Sequence, residues 1–298
     1  MAAEEDNLGP EELYVTAYSA YTANDYLMAV EYFTRYLEVV KNDLETYYNR
    51  GRSYLELKRY DEALADFDKA IEINPMDNLS FNNKGLAFLN LGDPVKAIEN
   101  FNKAIEIEPY FPECYCNRGV ANAQLGNFEE AIYDQTRATE LDRSYFKAFN
   151  NLGNIYARQG NLEQALNNYQ AALKLNPYSP ETHSNLSYTY YAMKKYDEAA
   201  QECEIAISMF PQFADAYTNL ALVKYDLGDF NAAFKNFNKA IELNPNHDEA
   251  YYGRGLTYFK TEQYKAALAD WEKSININRS RKSELKELMD SAKKKLNS

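Results

Sequence analysis

The stretch FNNLGNIYARQGNLEQALNNYQAALKLNP, residues 149–177, carries two apolar stripes separated by the punctuation QGN. Phe149, Leu152, Gly153 and Tyr156 recur at helical spacing, and so do Leu162, Ala165, Tyr169 and Ala172. Gly160 suits a left-handed helix end, Asn161 suits the cap of the next helix, and Pro177 stops it. Small residues at Gly153 and Ala165 let two antiparallel backbones approach closely, and the aromatics fill the remaining volume. The stretch therefore predicts a helical hairpin.

Stepping by 34 residues from Pro10 extends this reading along the chain. Eight windows run from residue 10 to 281 without an insertion or deletion: 10–43, 44–77, 78–111, 112–145, 146–179, 180–213, 214–247 and 248–281. Position 20 of every window is alanine, from Ala29 and Ala63 through Ala233 and Ala267. Position 8 is small throughout, as at Gly51, Gly85, Gly119, Gly153, Ser187 and Gly255. Positions 11 and 24 are usually aromatic, and position 32 is proline at 75, 109, 177, 211 and 245. Self-similarity at this period is the mark of a stacked repeat architecture. Residues 1–9 precede the pattern and are expected to be disordered. Residues 282–298 break it, but Leu285, Leu288, Met289, Ala292 and Leu296 share one helical stripe, with Ser283 placed to cap the start. A helix covering the last apolar face is expected there, with a partner-binding tail as the alternative.

The pattern resembles the tetratricopeptide repeat (TPR) family: an aromatic at 4, Gly at 8, Tyr at 11, Ala at 20, Phe or Tyr at 24, Ala at 27 and Pro at 32. The second, third and fifth windows match nearly throughout. The resemblance implies an all-α, right-handed α-solenoid, a superhelix of antiparallel helix pairs whose first helices line a concave wall. It also implies a scaffold that binds partners rather than an enzyme.

Position 6 lies on the face of the first helix turned away from its partner helix. It is Asn49, Asn83, Asn117, Asn151, Asn185 and Asn219 in six successive windows. Each carboxamide offers donors and an acceptor. The resemblance implies that such a row pairs with the backbone of an extended peptide; solvating the groove or bonding neighbouring helices is the alternative. Tyr188, Tyr191 and Tyr225 cluster beside Asn185 and Asn219, with Asn154 and Arg158 adjoining. The strongest contact zone is expected there. Position 2 is mostly acidic, including Glu181 and Asp215, which favours a neutral or basic peptide. Members of the family that clamp a carboxylate need concave Lys and Arg beside Asn. Lys147 and Arg158 are the only basic residues at positions 2, 6, 9 or 13 of the middle windows, so that clamp is not expected.

Position 7 is Leu in three windows but basic in four, as Arg50, Lys84, Arg118 and Arg254. Asp66, Asp134 and Asp270 stand at position 23 of the Arg windows, which predicts three helix-to-helix ion pairs.

The net charge of −13 argues against a nucleic-acid partner, since phosphate binding needs a surplus of Lys and Arg. No apolar run is long enough to span a membrane, and no secretory leader is visible. Three cysteines without framework spacing, Cys114, Cys116 and Cys203, read as buried thiols in a reducing, cytoplasmic setting. Neither they nor His183 and His247 have metal-ligand spacing, and no catalytic motif is present, so no cofactor is expected. A self-assembling structural module, associating through its convex face or its ends, is the second functional reading.

Overall fold

The structure is a computed structural model that describes residues 8–297. These residues fall into two compact units, one ending at Ala148 and one starting at Phe149. The expectation for residues 1–7 lies outside the described residues. Gly9 is ordered as a helix cap, its N–H donating to Glu12 Oε2 at 2.9 Å.

The described residues form seventeen helices and no strand. The first unit holds α1 (Pro10–Thr22), α2 (Tyr26–Val39), α3 (Leu44–Glu56), α4 (Tyr60–Ile73), α5 (Asn78–Asn90), α6 (Pro94–Ile107), α7 (Pro112–Leu125) and α8 (Phe128–Leu141). The unit boundary falls within α9 (Phe146–Arg158). The second unit continues with α10 (Leu162–Leu175), α11 (Pro180–Ala192), α12 (Tyr196–Met209), α13 (Ala214–Asp226), α14 (Phe230–Leu243), α15 (Asp248–Lys260), α16 (Tyr264–Ile277) and α17 (Arg281–Leu296). Each unit is an all-α solenoid: α1 packs on α2, α3 on α4, α11 on α12 and α13 on α14, and each pair packs on the next.

Local chemistry sets the helix bounds. Asp25, Asp93, Asn161 and Asp229 cap their helices by accepting from a backbone N–H three residues on. Before each position-32 proline the backbone leaves the helical region, as at Asn74, Glu108, Asn176 and Asn244. The hairpin turns pass through a left-handed residue: Gly92, Gly126, Gly160 and Gly228 take it without strain, whereas Lys58, Lys194 and Glu262 adopt φ of 59°, 60° and 62°.

Packing follows the small-to-large rule of the sequence. A Cβ at Gly85 would lie 2.5 Å from the Phe101 ring, and one at Gly153 would lie 2.5 Å from the Tyr169 ring. The cores are a string of local clusters, such as Ala17, Ala29 and Phe33 in the first unit and Ala233, Phe237 and Ala240 in the second.

All three Arg–Asp pairs form, and each is bidentate. Arg50 Nε and Nη2 donate to Asp66 at 2.8 and 2.7 Å, Arg118 to Asp134 at 3.0 and 2.6 Å, and Arg254 to Asp270 at 2.7 and 2.8 Å. The third nitrogen, Nη1, reaches back to the preceding helix, donating to Thr34, Asn102 or Asn238. One guanidinium therefore ties three helices together, which spacing within a single window did not reveal. Lys84, whose window has Asn100 at position 23, pairs instead with Asp68 of the preceding helix.

Where position 7 is Leu186, the cross-helix link is His183 Nδ1 to Glu202 Oε2 at 2.5 Å, and His183 Nε2 lies 3.2 Å from the Pro177 carbonyl. The hydrogen bond to Glu202 raises the His183 pKa despite partial burial. The fold therefore favours the protonated ring. The resulting stabilisation is fully present below the unfolded value and is lost as pH rises through the raised one. Melting curves recorded between about pH 6 and about pH 9 should show wild type exceeding Glu202→Gln in acid, with the gap closing as pH rises. A gap that widens with pH would reverse this assignment.

At the C-terminal end, α17 begins at Arg281. Ser283 is not its cap: the Ser283 hydroxyl donates to the Ser280 carbonyl from inside the first turn. Leu285 and Ala292 are fully buried with Ala267 and Trp271, Leu288 and Met289 pack alongside, and Leu296 is exposed.

Candidate peptide-binding site

The position-6 asparagines do not stand free on their helix faces. Asn83 Nδ2 donates to Tyr48 Oη at 3.3 Å and to the Leu79 carbonyl at 2.9 Å. Asn117 Nδ2 donates to Asn82 Oδ1 at 3.0 Å, and Asn185 Nδ2 to Asn150 Oδ1 at 3.4 Å. Asn219 Nδ2 donates to the Ser184 carbonyl and hydroxyl, both at 3.1 Å, and to Ser187 Oγ at 3.3 Å. In each of these four one acceptor sits on the first helix of the preceding window, 35 residues back, at position 5. The row thus clips successive first helices to one another. Asn151 is also engaged in an interaction of its own.

Burial divides the row after Asn83, and Asn117 of the first unit is already half-buried. Asn49 and Asn83 are 6% and 9% exposed, whereas Asn151, Asn154, Asn185 and Asn219 are half-buried. In the second unit a cleft of about 700 Å³ opens among α9, α10, α11 and α13, with α15 at its rim. It brings together Asn154, Arg158, Asn185, Tyr188, Asp215 and Asn219. With their Nδ2 groups committed, Asn185 and Asn219 keep an Oδ1 that accepts nothing from the described residues. Asn154 Oδ1 is already taken by the Tyr169 hydroxyl at 2.7 Å, and burial keeps that hydroxyl protonated.

The other expected residues lie elsewhere. Tyr191 is half-buried between Tyr188 and Tyr196, with ring centroids 6.2 and 6.0 Å away. Burial, then its hydrogen bond to Asp226, raises its pKa. Tyr225 packs on Phe230 at 5.8 Å, and Glu181 contacts the Ser179 hydroxyl at the α11 cap. Sequence reasoning missed Tyr169, Ser184 and Phe213, which line the cleft together with Glu249 of the acidic position-2 row. Tyr169 and Phe213 occupy core and inter-repeat loop positions, and no periodic signal sets the three missed residues apart.

The charge around the cleft is mixed. Asp215 Oδ1 lies 2.9 Å from His247 Nε2, and Glu249 lies 3.9 Å from Arg281. Two carboxylates and Arg158 therefore surround the amide row. Among the described residues no cluster of His, Cys, Asp and Glu could hold a metal ion. The three cysteines are buried and form no disulfide among the described residues, and burial pushes the Cys114 and Cys203 thiols up to about 12, which keeps them protonated and unreactive. No helix among the described residues is long and apolar enough to cross a membrane.

Family signatures described as tetratricopeptide repeat match residues 44–77, 79–111, 100–133, 180–213 and 248–281, and signatures described as TPR repeat match 122–160, 153–194 and 221–262. The chain is a tetratricopeptide repeat protein. No curated protein matches this TPR chain. Among solved structures it is similar to a chain of the APC/C hetero-tetramer Cut9–Hcn1, with a TM-score of 0.75 and 18% identity over 97% of this chain and 57% of that one. It is also similar to a TPR protein from Parabacteroides merdae (TM-score 0.68, 19% identity, 83% and 98% covered). Yeast Tom70 is a third (TM-score 0.63, 19% identity, 100% and 66% covered). The chain thus spans little more than half of the first of these structures, and at such identities the likeness is one of fold.

Proposed function

We propose that this TPR protein is a non-catalytic scaffold that holds an extended peptide segment of a protein partner in the cleft of its second unit. The observation that carries this reading is the convergence of Asn154, Asn185, Asn219, Arg158, Tyr188 and Asp215 on one cleft. Asn185 and Asn219 offer Oδ1 acceptors to the N–H groups of an extended chain, and Tyr188, 46% exposed, offers an aromatic surface for a side chain. The acidic contribution of Asp215 and Glu249 favours neutral or basic segments. Asn49 and Asn83, being buried, act in stacking and leave the recognition role to the second unit. The TPR family binds proteins and peptides, and a reducing, cytoplasmic setting fits three cysteines that form no disulfide.

The test begins with peptides selected from a random library on the purified chain. Titration calorimetry of a selected peptide should show Asn185→Ala and Asn219→Ala each weakening binding about tenfold, the worth of a well-made hydrogen bond. Asn83→Ala should leave affinity within about twofold. Unchanged affinity in both of the first two variants would sink the cleft mechanism.

A further inference from the structure

The window beginning at Pro112 differs from the other seven at two positions together. Position 11 is Asn122 and position 24 is Gln135, and no other window lacks an aromatic at both. Elsewhere the neighbours of a position-11 ring are clear. Arg50 lies between two tyrosines, its Cζ 5.7 Å from the Tyr47 ring and 5.8 Å from the Tyr54 ring. Arg254 lies likewise between Tyr251 and Tyr258, at 5.5 and 5.9 Å. Tyr258 also packs at 4.7 Å on Phe234, position 21 of the preceding window, and Phe88 receives Lys96, position 19 of its own window, at 5.4 Å.

Arg118 has only the first of its two rings, Tyr115 at 5.4 Å. On the other side, where Asn122 replaces the tyrosine, a cleft of about 430 Å³ opens in the first unit. Its walls include Arg118, Ile98 and Glu130, at positions 7, 21 and 19, each of which touches a position-11 ring elsewhere, as position 16 also does at Arg59 and Lys195. A second cleft of about 430 Å³ opens beside Ala20, the position-11 residue of the first window. The space is therefore what an absent ring leaves behind. The Ala20 cleft lacks a cation, whereas the Asn122 cleft is backed by a guanidinium whose Nε, Nη1 and Nη2 are all held in plane by Asp134 and Asn102. Such a group is immobilised and presents a flat face for stacking.

We propose that this cleft is a socket for an aromatic side chain of a partner protein, which completes the stack over Arg118 opposite Tyr115. Glu129 and Glu130 are exposed at its rim, and Tyr133 beside them is 65% exposed. Those carboxylates favour a segment with Lys or Arg next to its aromatic residue and disfavour phosphate-bearing ligands such as nucleotides. The socket belongs to the first unit and shares no residue with the cleft of the second, so either site can fail without the other.

The probes are p-cresol, the side chain of tyrosine, and the tripeptides acetyl-Lys-Tyr-Lys-amide and acetyl-Glu-Tyr-Glu-amide. Arginine Nε–H resonances of the ¹⁵N-labelled full chain report the result. Both p-cresol and the lysine peptide should shift Arg118 upfield saturably, leaving Arg50 and Arg254 in place. The lysine peptide should bind more tightly than the glutamate peptide. Asn122→Tyr fills the socket and should abolish the shift. Conversely, Tyr54→Asn opens the equivalent space over Arg50, whose resonance should then respond, and this variant decides the matter if Asn122→Tyr fails to fold. No Arg118 shift, an undiminished shift in Asn122→Tyr, an unresponsive Arg50 in folded Tyr54→Asn, or preference for the glutamate peptide would overturn the proposal.

Discussion

Asp134→Ala is expected to destabilise the protein by about 3–5 kcal/mol, the usual cost of stranding one half of a buried ion pair. Asp134 is 1% exposed and accepts from Arg118 Nε and Nη2 and, at 3.2 Å, from Asn122 Nδ2. Its removal leaves the Arg118 guanidinium, 18% exposed, with Asn102 Oδ1 as its remaining in-plane partner. The penalty is the desolvated charge, so removing both charges should recover most of it. Arg118→Leu combined with Asp134→Leu is therefore expected to melt much closer to wild type than Asp134→Ala does. The pair Arg59–Glu62 supplies the contrast. It is just as short, at 2.7 Å, but both side chains are about half exposed, and Glu62→Ala should move stability by under about 0.5 kcal/mol. Urea denaturation followed by circular dichroism measures all four chains. A repeat array transmits such damage mainly to its neighbours, so hydrogen exchange should quicken first in α6, α7 and α8. Equal losses in Asp134→Ala and Glu62→Ala would mean that burial is not the deciding factor.

The fold was legible because the sequence repeats its local rules in register. Gly153 facing Tyr169, Asn161 capping α10 and Pro177 stopping it are short-range facts, and each is written in adjacent residues. The Arg–Asp pairs were legible for a related reason: positions 7 and 23 covary among the windows, and side chains that meet across one hairpin vary together. What stayed hidden was contact between windows. The third nitrogen of Arg118 reaches Asn102, and the amide of Asn219 reaches Ser184. Those partners stand at positions 25 and 5, which carry many residue types because either a carbonyl or a hydroxyl oxygen can accept the bond.

The same difference governs the candidate site. Spacing and helix geometry place Asn185 and Asn219 on one wall, and the cleft contains both. Spacing cannot report depth, and depth divides the row into Asn49 and Asn83, nearly sealed, and the later members, half-buried. Nor could it show that the Nδ2 groups of Asn83, Asn117, Asn185 and Asn219 are occupied, because an acceptor of each lies 35 residues back on a separate helix. The tyrosines were harder still. Tyr188 reaches the cleft, while Tyr191, three residues on, turns toward Tyr196. A step of three on a helix rotates a side chain by about 60°, enough to separate a wall from a seam.

Leu285→Ala in α17 is expected to cost about 2–5 kcal/mol, the range for deleting a fully buried leucine where the cavity cannot collapse. Leu285 has no exposed surface, and it packs in one cluster with Ala267, Trp271 and Ala292. The ends of the helix are pinned separately. Arg281 lies 4.7 Å from the Tyr252 ring and donates to Asp248 at 3.2 Å, while Lys295 sits over Phe259 and Tyr264 at 5.4 and 5.5 Å. Those contacts are exposed or partly so, and Lys295→Ala should cost only about 0.5–1 kcal/mol. Trp271 is the single tryptophan of the chain, fully buried, with its indole N–H donating to the Tyr252 carbonyl at 3.3 Å. Its fluorescence therefore reports on this end alone. If α17 is the cover for the apolar face of α15 and α16, Leu285→Ala should lower the denaturation midpoint seen by fluorescence. A chain ending at residue 280 should then emit at longer wavelength even without denaturant. If α17 is a detachable tail, neither change will move the emission, and the buried contacts of Leu285 will count for nothing. Exposure of an indole with no surface of its own is too large a change to miss, so this measurement decides between a cover and a tail.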